Sequence, residues 1–163
     1  MEIIRFKKFD SNYGYMSNFY PCNIEYDGIN YINSEAMFQG FKTKDLKLRK
    51  EQFENVEPGL SKRRGRLIQL RSDWEEVKYE CMKITLRNKF TQNKELKEKL
   101  LSTKDSILIE DTTSWHDNIW GDCSCVKCKN KEGRNLLGKA LMEIREELKN
   151  IQFIVILYVS TQA

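Results

Sequence analysis

Between Asn23 and Asn33 apolar and polar residues alternate one by one: Ile24 and Tyr26 precede an Asp27-Gly28 pair, and Ile29 and Tyr31 follow it. A period of two interrupted by Asp-Gly predicts a β-hairpin, because that dipeptide accepts the positive φ angles of a tight turn. Ile3 to Phe6 reads as a further strand. Ser34 then stands as the cap of a helix beginning at Glu35, and a second helical segment runs from Leu46 to Phe53 until Pro58-Gly59 interrupts it. At Ser72-Asp73-Trp74-Glu75 the spacing of Ser72 and Glu75 is that of a capping box. From there Trp74, Val77, Cys81 and Ile84 form one apolar line and Met82, Leu86 and Phe90 a neighbouring one, so a helix of about 17 residues with a broad buried face is expected. Ser106 to Glu110 has strand character, and Asn135 to Leu148 is amphipathic, with Leu137, Leu141, Ile144 and Leu148 inward.

The set puts several helices around a small, mostly antiparallel sheet, an α+β single domain. The chain of 163 residues, 40% of them hydrophobic, suits one core. That domain takes residues 1–150. Residues 151–163 form an appendage in which Phe153 to Val159, uncharged and rich in β-branched and aromatic side chains, reads as a strand or as an accessory tail. Its apolar core is about half of the roughly 20 residues that a membrane helix needs, so no membrane association is expected.

Charge changes this picture little. Twenty-eight Lys and Arg against 24 Asp and Glu leave +4, spread along the chain, which permits an acidic or phosphorylated partner without demanding one. The first twenty residues, with charged IIRFKKFD, have no apolar run before a cleavage site, and a cytoplasmic protein is expected. In that reducing setting five cysteines, an odd number with three in one loop, argue against a disulfide framework. Cys123, Cys125 and Cys128 spell C-x-C-x-x-C, three soft ligands within one short loop. A structural zinc there needs a fourth ligand, from His116 nearby in sequence or from Cys22 nearby in space; the alternative is plain thiols.

The segment NSEAMFQGFK, from Asn33 to Lys42, carries the most chemistry. At 100° per residue Glu35, Gln39 and Lys42 fall within about 60° of one another, while Met37 and Phe41 point away. Glu35 and Lys42 are about 10 Å apart along the axis, beyond the i,i+4 pairing distance. The stripe is therefore either a solvated face or a set of groups converging on a third body. Upstream, Tyr13 to Pro21 (YGYMSNFYP) is an aromatic loop that either stacks on a ligand ring or packs on the core.

The stretch YGYMSNFYPCNIEYDGINYINSEAMFQGFK resembles the opening of the YbiA-like proteins, or NADAR domains, whose pattern is SNF, a hairpin with D-G, then S-E-x-x-F-Q-x-x-K. WEEVKYECMKITLRNKF, ILIEDT, DNIWGD and GRNLLGKALMEIREEL follow in the same order, from about Phe9 to Leu148. Two departures stand out: Ala36-Met37 replaces a common His-aromatic pair, which is expected to reshape one pocket wall, and the loop after Trp120-Gly121 carries cysteines.

The resemblance implies an N-glycosidase acting on a phosphoribosylamino intermediate of the riboflavin pathway or on an ADP-ribosylated guanine base. The partner is then a nucleotide-like small molecule or an ADP-ribosylated nucleic acid, and the reaction needs no cofactor. Two mechanisms fit. In one, Lys42 attacks the anomeric carbon and forms a Schiff base while Glu35 moves protons; in the other, a carboxylate activates water and Lys42 only binds. The first is favoured because the motif places a lysine there. Carried over onto matching positions, Asp117 joins the catalytic set, and Ser17, Asn18, Phe19, Gln39, Trp74, Trp120 and Asn135 are substrate-binding candidates. Trp120 would stack on a base or sugar, and Asn135 would hold a phosphate or ribose oxygen. For Asp117, Trp120 and Asn135 the alternative is loop capping or core filling. For Trp74, core and pocket are both open. Arg66 belongs to Lys62-Arg63-Arg64-Gly65-Arg66, which either grips a pyrophosphate or nucleic-acid backbone or is a solvated helix face. The competing functions are a nucleotide-binding or ADP-ribose-binding module without turnover and a nucleic-acid adaptor.

Overall fold

The Asp27-Gly28 turn forms with both residues in the left-handed region, at φ 53° and 70°. It joins strands β2 (Pro21–Tyr26) and β3 (Ile29–Asn33) antiparallel, with Ile24 opposite Tyr31 and Tyr26 opposite Ile29. The computed structural model describes the backbone of residues 2–161 and the side chains of residues 2–154. Within these the remaining strands, β1 (Ile3–Phe6) and β4 (Ile107–Glu110), pair parallel, Phe6 opposite Glu110. The expected mostly antiparallel sheet is thus two separate two-stranded sheets, one of each sense. A parallel pair requires a long crossover, here residues 7–106, and nothing in the alternation of either strand reveals that partner. The α+β class stands.

β3 runs directly into α1 (Ser34–Gly40), and the cap is Asn33 rather than Ser34: its Oδ1 accepts from the Ala36 N–H at 2.8 Å. Asp45 caps α2 (Leu46–Phe53) in the same way, at 3.0 Å from the Leu48 nitrogen. Pro58 opens a helix, α3 (Pro58–Leu67), instead of only breaking one, since the first turn has no use for its missing N–H. The Ser72–Glu75 capping box does not form, and no side chain caps α4 (Trp74–Gln92). Asp73 is held by Arg71 at 2.6 and 2.9 Å and by Lys44 at 3.2 Å, while Glu75 pairs with Lys78 one turn on.

α4 lies at the centre. Cys81, Met82, Leu86 and Phe90 are buried, with Val77 and Ile84 packed partly against the same core. α5 (Lys94–Ser102) and α6 (Leu136–Thr161) complete the helical layer. Leu137, Leu141, Ile144 and Leu148 of α6 are all fully buried, each side chain contributing about 1.5–3 kcal/mol relative to exposure. Beyond Leu148 the helix continues to Thr161, so the segment read as a strand or tail is helical. Once a helix is nucleated, each added Ile or Val costs less than about 0.7 kcal/mol relative to the best helix formers, a weaker preference than propagation from a packed stretch. Among the described residues no helix is long and apolar enough to cross a membrane.

Candidate active site

Every residue of α1 is buried, so its polar stripe is not a solvated face. Glu35 and Gln39 are each 6% exposed, and Lys42, just past the helix end, is half-buried. All three line one cavity of about 430 Å³. Ala36 and Met37 point into the core and do not line it, so the departure from the family pattern there alters the core, not the pocket wall.

Four further segments supply most of the wall, and Lys8 and Leu137 complete it. The Ser17-Asn18-Phe19 turn is fixed from below by Lys89 of α4, fully buried, whose ammonium donates to the Ser17 carbonyl at 2.8 Å. Burial brings that lysine's pKa down to about 8. The same turn is tied to α1, where the Glu35 N–H and the Ser34 hydroxyl both donate to the Asn18 carbonyl, at 2.9 and 3.3 Å. From α3 come Lys62 and Arg66, one turn apart; Arg64 turns away to donate to the Gln52 carbonyl at 2.8 Å, so the basic cluster divides between cavity and surface. Trp74, Lys78 and Met82 present one face of α4. The last wall is Glu110 at the end of β4, followed by Trp115, Asp117, Ile119 and Trp120. Phe38 joins the walls, its ring 5.4 Å from Trp74 and 5.1 Å from Trp120. Trp74 therefore serves core and pocket together.

Gly65 is what lets α3 approach α1: a Cβ there would lie 1.9 Å from Gln39 Oε1. The Gly65 carbonyl accepts from Lys42 Nζ at 2.8 Å, and Gln39 Nε2 donates to Glu35 Oε1 at 2.8 Å. Burial lowers the Lys42 pKa, opposed by the attraction of Glu35 and assisted by Arg66 and Lys62. Burial raises Glu35, against the Gln39 hydrogen bond and the nearby cations. The two groups are thus each pushed toward their neutral forms, an amine and a carboxylic acid. Glu110 is pushed up to about 8, first by burial and then by the negative charges of Asp117 and Glu35. Asn18 Oδ1 and Gln39 Oε1 are buried acceptors without a partner, each costing about 1–3 kcal/mol, and both residues line the cavity.

Of the residues singled out by sequence, Ser17, Asn18, Phe19, Glu35, Gln39, Lys42, Arg66, Trp74, Asp117 and Trp120 line the cavity. Asp117 also caps its own turn, Oδ1 accepting from the Ile119 and Trp120 nitrogens at 2.8 and 2.9 Å. Asn135 does not line it. Its Oδ1 accepts from the Glu110 N–H at 3.1 Å and its Nδ2 donates to the Leu108 carbonyl at 2.8 Å, so both ends of the amide hold β4 behind the cavity wall. Sequence reasoning missed Glu110, Lys62 as a wall residue, Lys8, Lys78, Phe38 and Trp115. The available signal for Glu110 was a carboxylate on the inward phase of a buried strand, shared with Leu108. Outside the cavity, His116 gathers with Cys123, Cys125 and Cys128 into a set that could hold a metal ion.

The NADAR domain model matches residues 5–149. The chain belongs to the NADAR domain family. N-glycosidase YbiA of Shigella boydii is 40% identical to this NADAR chain over 148 residues, 90% of the chain and 88% of the relative. An N-glycosidase of Nostoc punctiforme is 34% identical, over 91% and 94% of the two chains. A riboflavin biosynthesis protein of Vibrio vulnificus is 36% identical over 90% of this chain, which spans 38% of that longer relative. The NMR structure of Escherichia coli YbiA superposes with a TM-score of 0.80 at 38% identity, covering 93% of this chain and 88% of that one. NADAR domains are N-glycosidase-type hydrolases, and this chain is an enzyme of that class.

Proposed function

We propose that the chain hydrolyses the bond between the anomeric carbon of a phosphorylated ribose and a nitrogen of its base. The observation that carries this reading is one cavity in which Lys42 is shifted toward the free amine and Glu35 and Glu110 toward the protonated acid. A neutral Lys42 keeps its lone pair while an N–H donates to the Gly65 carbonyl. It attacks the anomeric carbon, the C–N bond to the base breaks, and a carboxylic acid of Glu35 or Glu110 protonates the departing nitrogen. The carboxylate so formed takes the proton from the new C–N bond's nitrogen and delivers it to the ring oxygen as the ring C–O bond breaks, giving a Schiff base; water then adds to its carbon, the C–N bond to Lys42 breaks, and the free sugar aldehyde leaves the restored amine. Trp74, Trp120 and Phe19 offer faces for the base, and Lys62, Arg66 and Lys8 supply charge for phosphate, Lys78 being paired with Glu75.

The substrate we favour is the phosphoribosylaminopyrimidine of the riboflavin pathway, for two reasons. A cavity of about 430 Å³ lies toward the smaller end of ligand pockets and suits a mononucleotide, and one relative is named for riboflavin biosynthesis. A second reading, ADP-ribosylated guanine free or in nucleic acid, draws on the three cations Lys8, Lys62 and Arg66, more charge than one phosphate needs. Either reaction would take place in the cytoplasm, where the five free thiols are kept reduced. Incubating the purified protein with each substrate separately and weighing the products by mass spectrometry tests both. Release of free base from one identifies the substrate. Saturable binding with no released base from either overturns hydrolysis in favour of a binding module.

A further inference from the structure

The segment from Asp122 to Arg134, DCSCVKCKNKEGR, has little to hold it by ordinary packing: Val126, its only apolar residue besides the cysteines, is 89% exposed. Cys123 and Cys128 are nevertheless buried and Cys125 half-buried, and the three thiols converge on a single imidazole nitrogen. His116 Nδ1 lies 3.4 Å from Cys123 Sγ, 3.2 Å from Cys125 Sγ and 3.9 Å from Cys128 Sγ. All four ligand atoms lie within 4.8 Å of one another. A tetrahedral zinc with Zn–S bonds of about 2.3 Å separates its ligand atoms by about 3.5–3.8 Å, so small adjustments bring these four into its coordination sphere. Cys22, the other candidate for fourth ligand, is in β2 and outside this cluster.

We propose that His116, Cys123, Cys125 and Cys128 bind one structural zinc ion, and that this ion acts as a clip holding the cavity wall from Trp115 to Trp120. Zinc takes the place of the three thiol protons, which pass to solvent, leaving a Cys₃His site with no open position for chemistry. Three thiolates and one imidazole favour zinc over the oxygen-seeking divalent ions. The link to the cavity is the position of His116 between two lining residues, Trp115 and Asp117, with Ile119 and Trp120 in the span that Cys123 closes. His116 sits in the left-handed region at φ 59°, a conformation uncommon for a residue with a Cβ, which a metal bond through its ring would hold in place. The protein bonds already present bring the ends together: the Cys123 N–H donates to Asn118 Oδ1 at 2.9 Å, and Asp111 bridges Asp122.

The test needs no substrate, so its failure is distinct from failure of the N-glycosidase reading. Reduced, full-length protein from zinc-supplied cells should carry about one zinc per chain by elemental analysis. Replacing zinc with cobalt(II) should give sulfur-to-cobalt charge-transfer bands and the ligand-field bands of a tetrahedral site. Cys125→Ser, at the half-buried position, should weaken metal retention, and Cys128→Ser should do the same. On chelation, amide exchange across residues 115–120 should accelerate by roughly tenfold or more. Protein that holds neither zinc nor cobalt with its thiols reduced overturns the site, as does full retention of metal by both serine variants. Unchanged exchange in residues 115–120 after the metal is removed overturns the clip.

Discussion

The Glu110 carboxyl stands at the inner end of β4 without an ion pair among the described residues, and burial makes its protonated form the favoured one in the folded state. Its pKa rises from an ordinary 4.5 to about 8, so between those values the folded chain binds more protons at this site than the unfolded chain does. Stability from this group is present in full at acid pH and is lost as pH rises through the interval; Glu35, also raised, adds the same sign. Glu110→Gln should therefore flatten the pH dependence of thermal stability. The variant should gain on the wild type most above about pH 8 and least near pH 4.5, read as the melting-temperature difference across a pH series; a constant difference contradicts the shifted titration. At this scale Glu35, Gln39 and Lys42 were legible because helical spacing puts them on one side, a stripe that spacing left open as a solvated face and the family resemblance read as a site. Glu110 was passed over because in the four residues ILIE only Leu108 shares its inward phase, a signal resting on one residue. Asn135 was misread because a polar residue at a helix start suggests an anion site, whereas its two amide ends match two main-chain groups of β4.

Helices α1 and α3 meet with no room for a methyl group at Gly65, whose carbonyl holds Lys42 while its neighbour Gln39 holds Glu35. In isolation Gly65→Ala should help α3 by about 1 kcal/mol through helix propensity. Packing opposes it, because the new Cβ falls 2.6 Å from Gln39 Cδ as well as on its oxygen, and Gln39 cannot swing aside without losing its bond to Glu35. The packing cost, about 1–3 kcal/mol, wins. The variant should be less stable in urea, and its activity should fall beyond what its folded fraction explains; unchanged stability would show that the helices part freely. Elements with long periods, α4 and the first half of α6, were readable from their apolar lines. The capping box at Ser72 and the strand from Phe153 to Val159 were not, because local preference there yields to Asp73's ion pairs and to continuation of a helix already formed.

As a whole molecule, the site is assembled from segments that stretch along the chain from Lys8 to Leu137. The α+β class and the α1 stripe followed from periodicity and from the family resemblance. The parallel pairing of β1 with β4 joins strands about a hundred residues apart in the chain, a relation no local pattern encodes, and that pairing carries Glu110 to the cavity. The polar groups that meet there are consistent with covalent catalysis by Lys42 more than with simple binding, since a half-buried lysine pushed toward its neutral form is poorly suited to hold a permanent charge. The most direct test is to add borohydride during turnover and map the mass of the protein. A substrate-dependent, borohydride-dependent increase should localise to the peptide containing Lys42 and vanish with activity in Lys42→Arg, whose guanidinium stays protonated. Undiminished turnover by Lys42→Arg, or turnover by the wild type with no trapped adduct, would contradict the account and leave the cavity to an activated water.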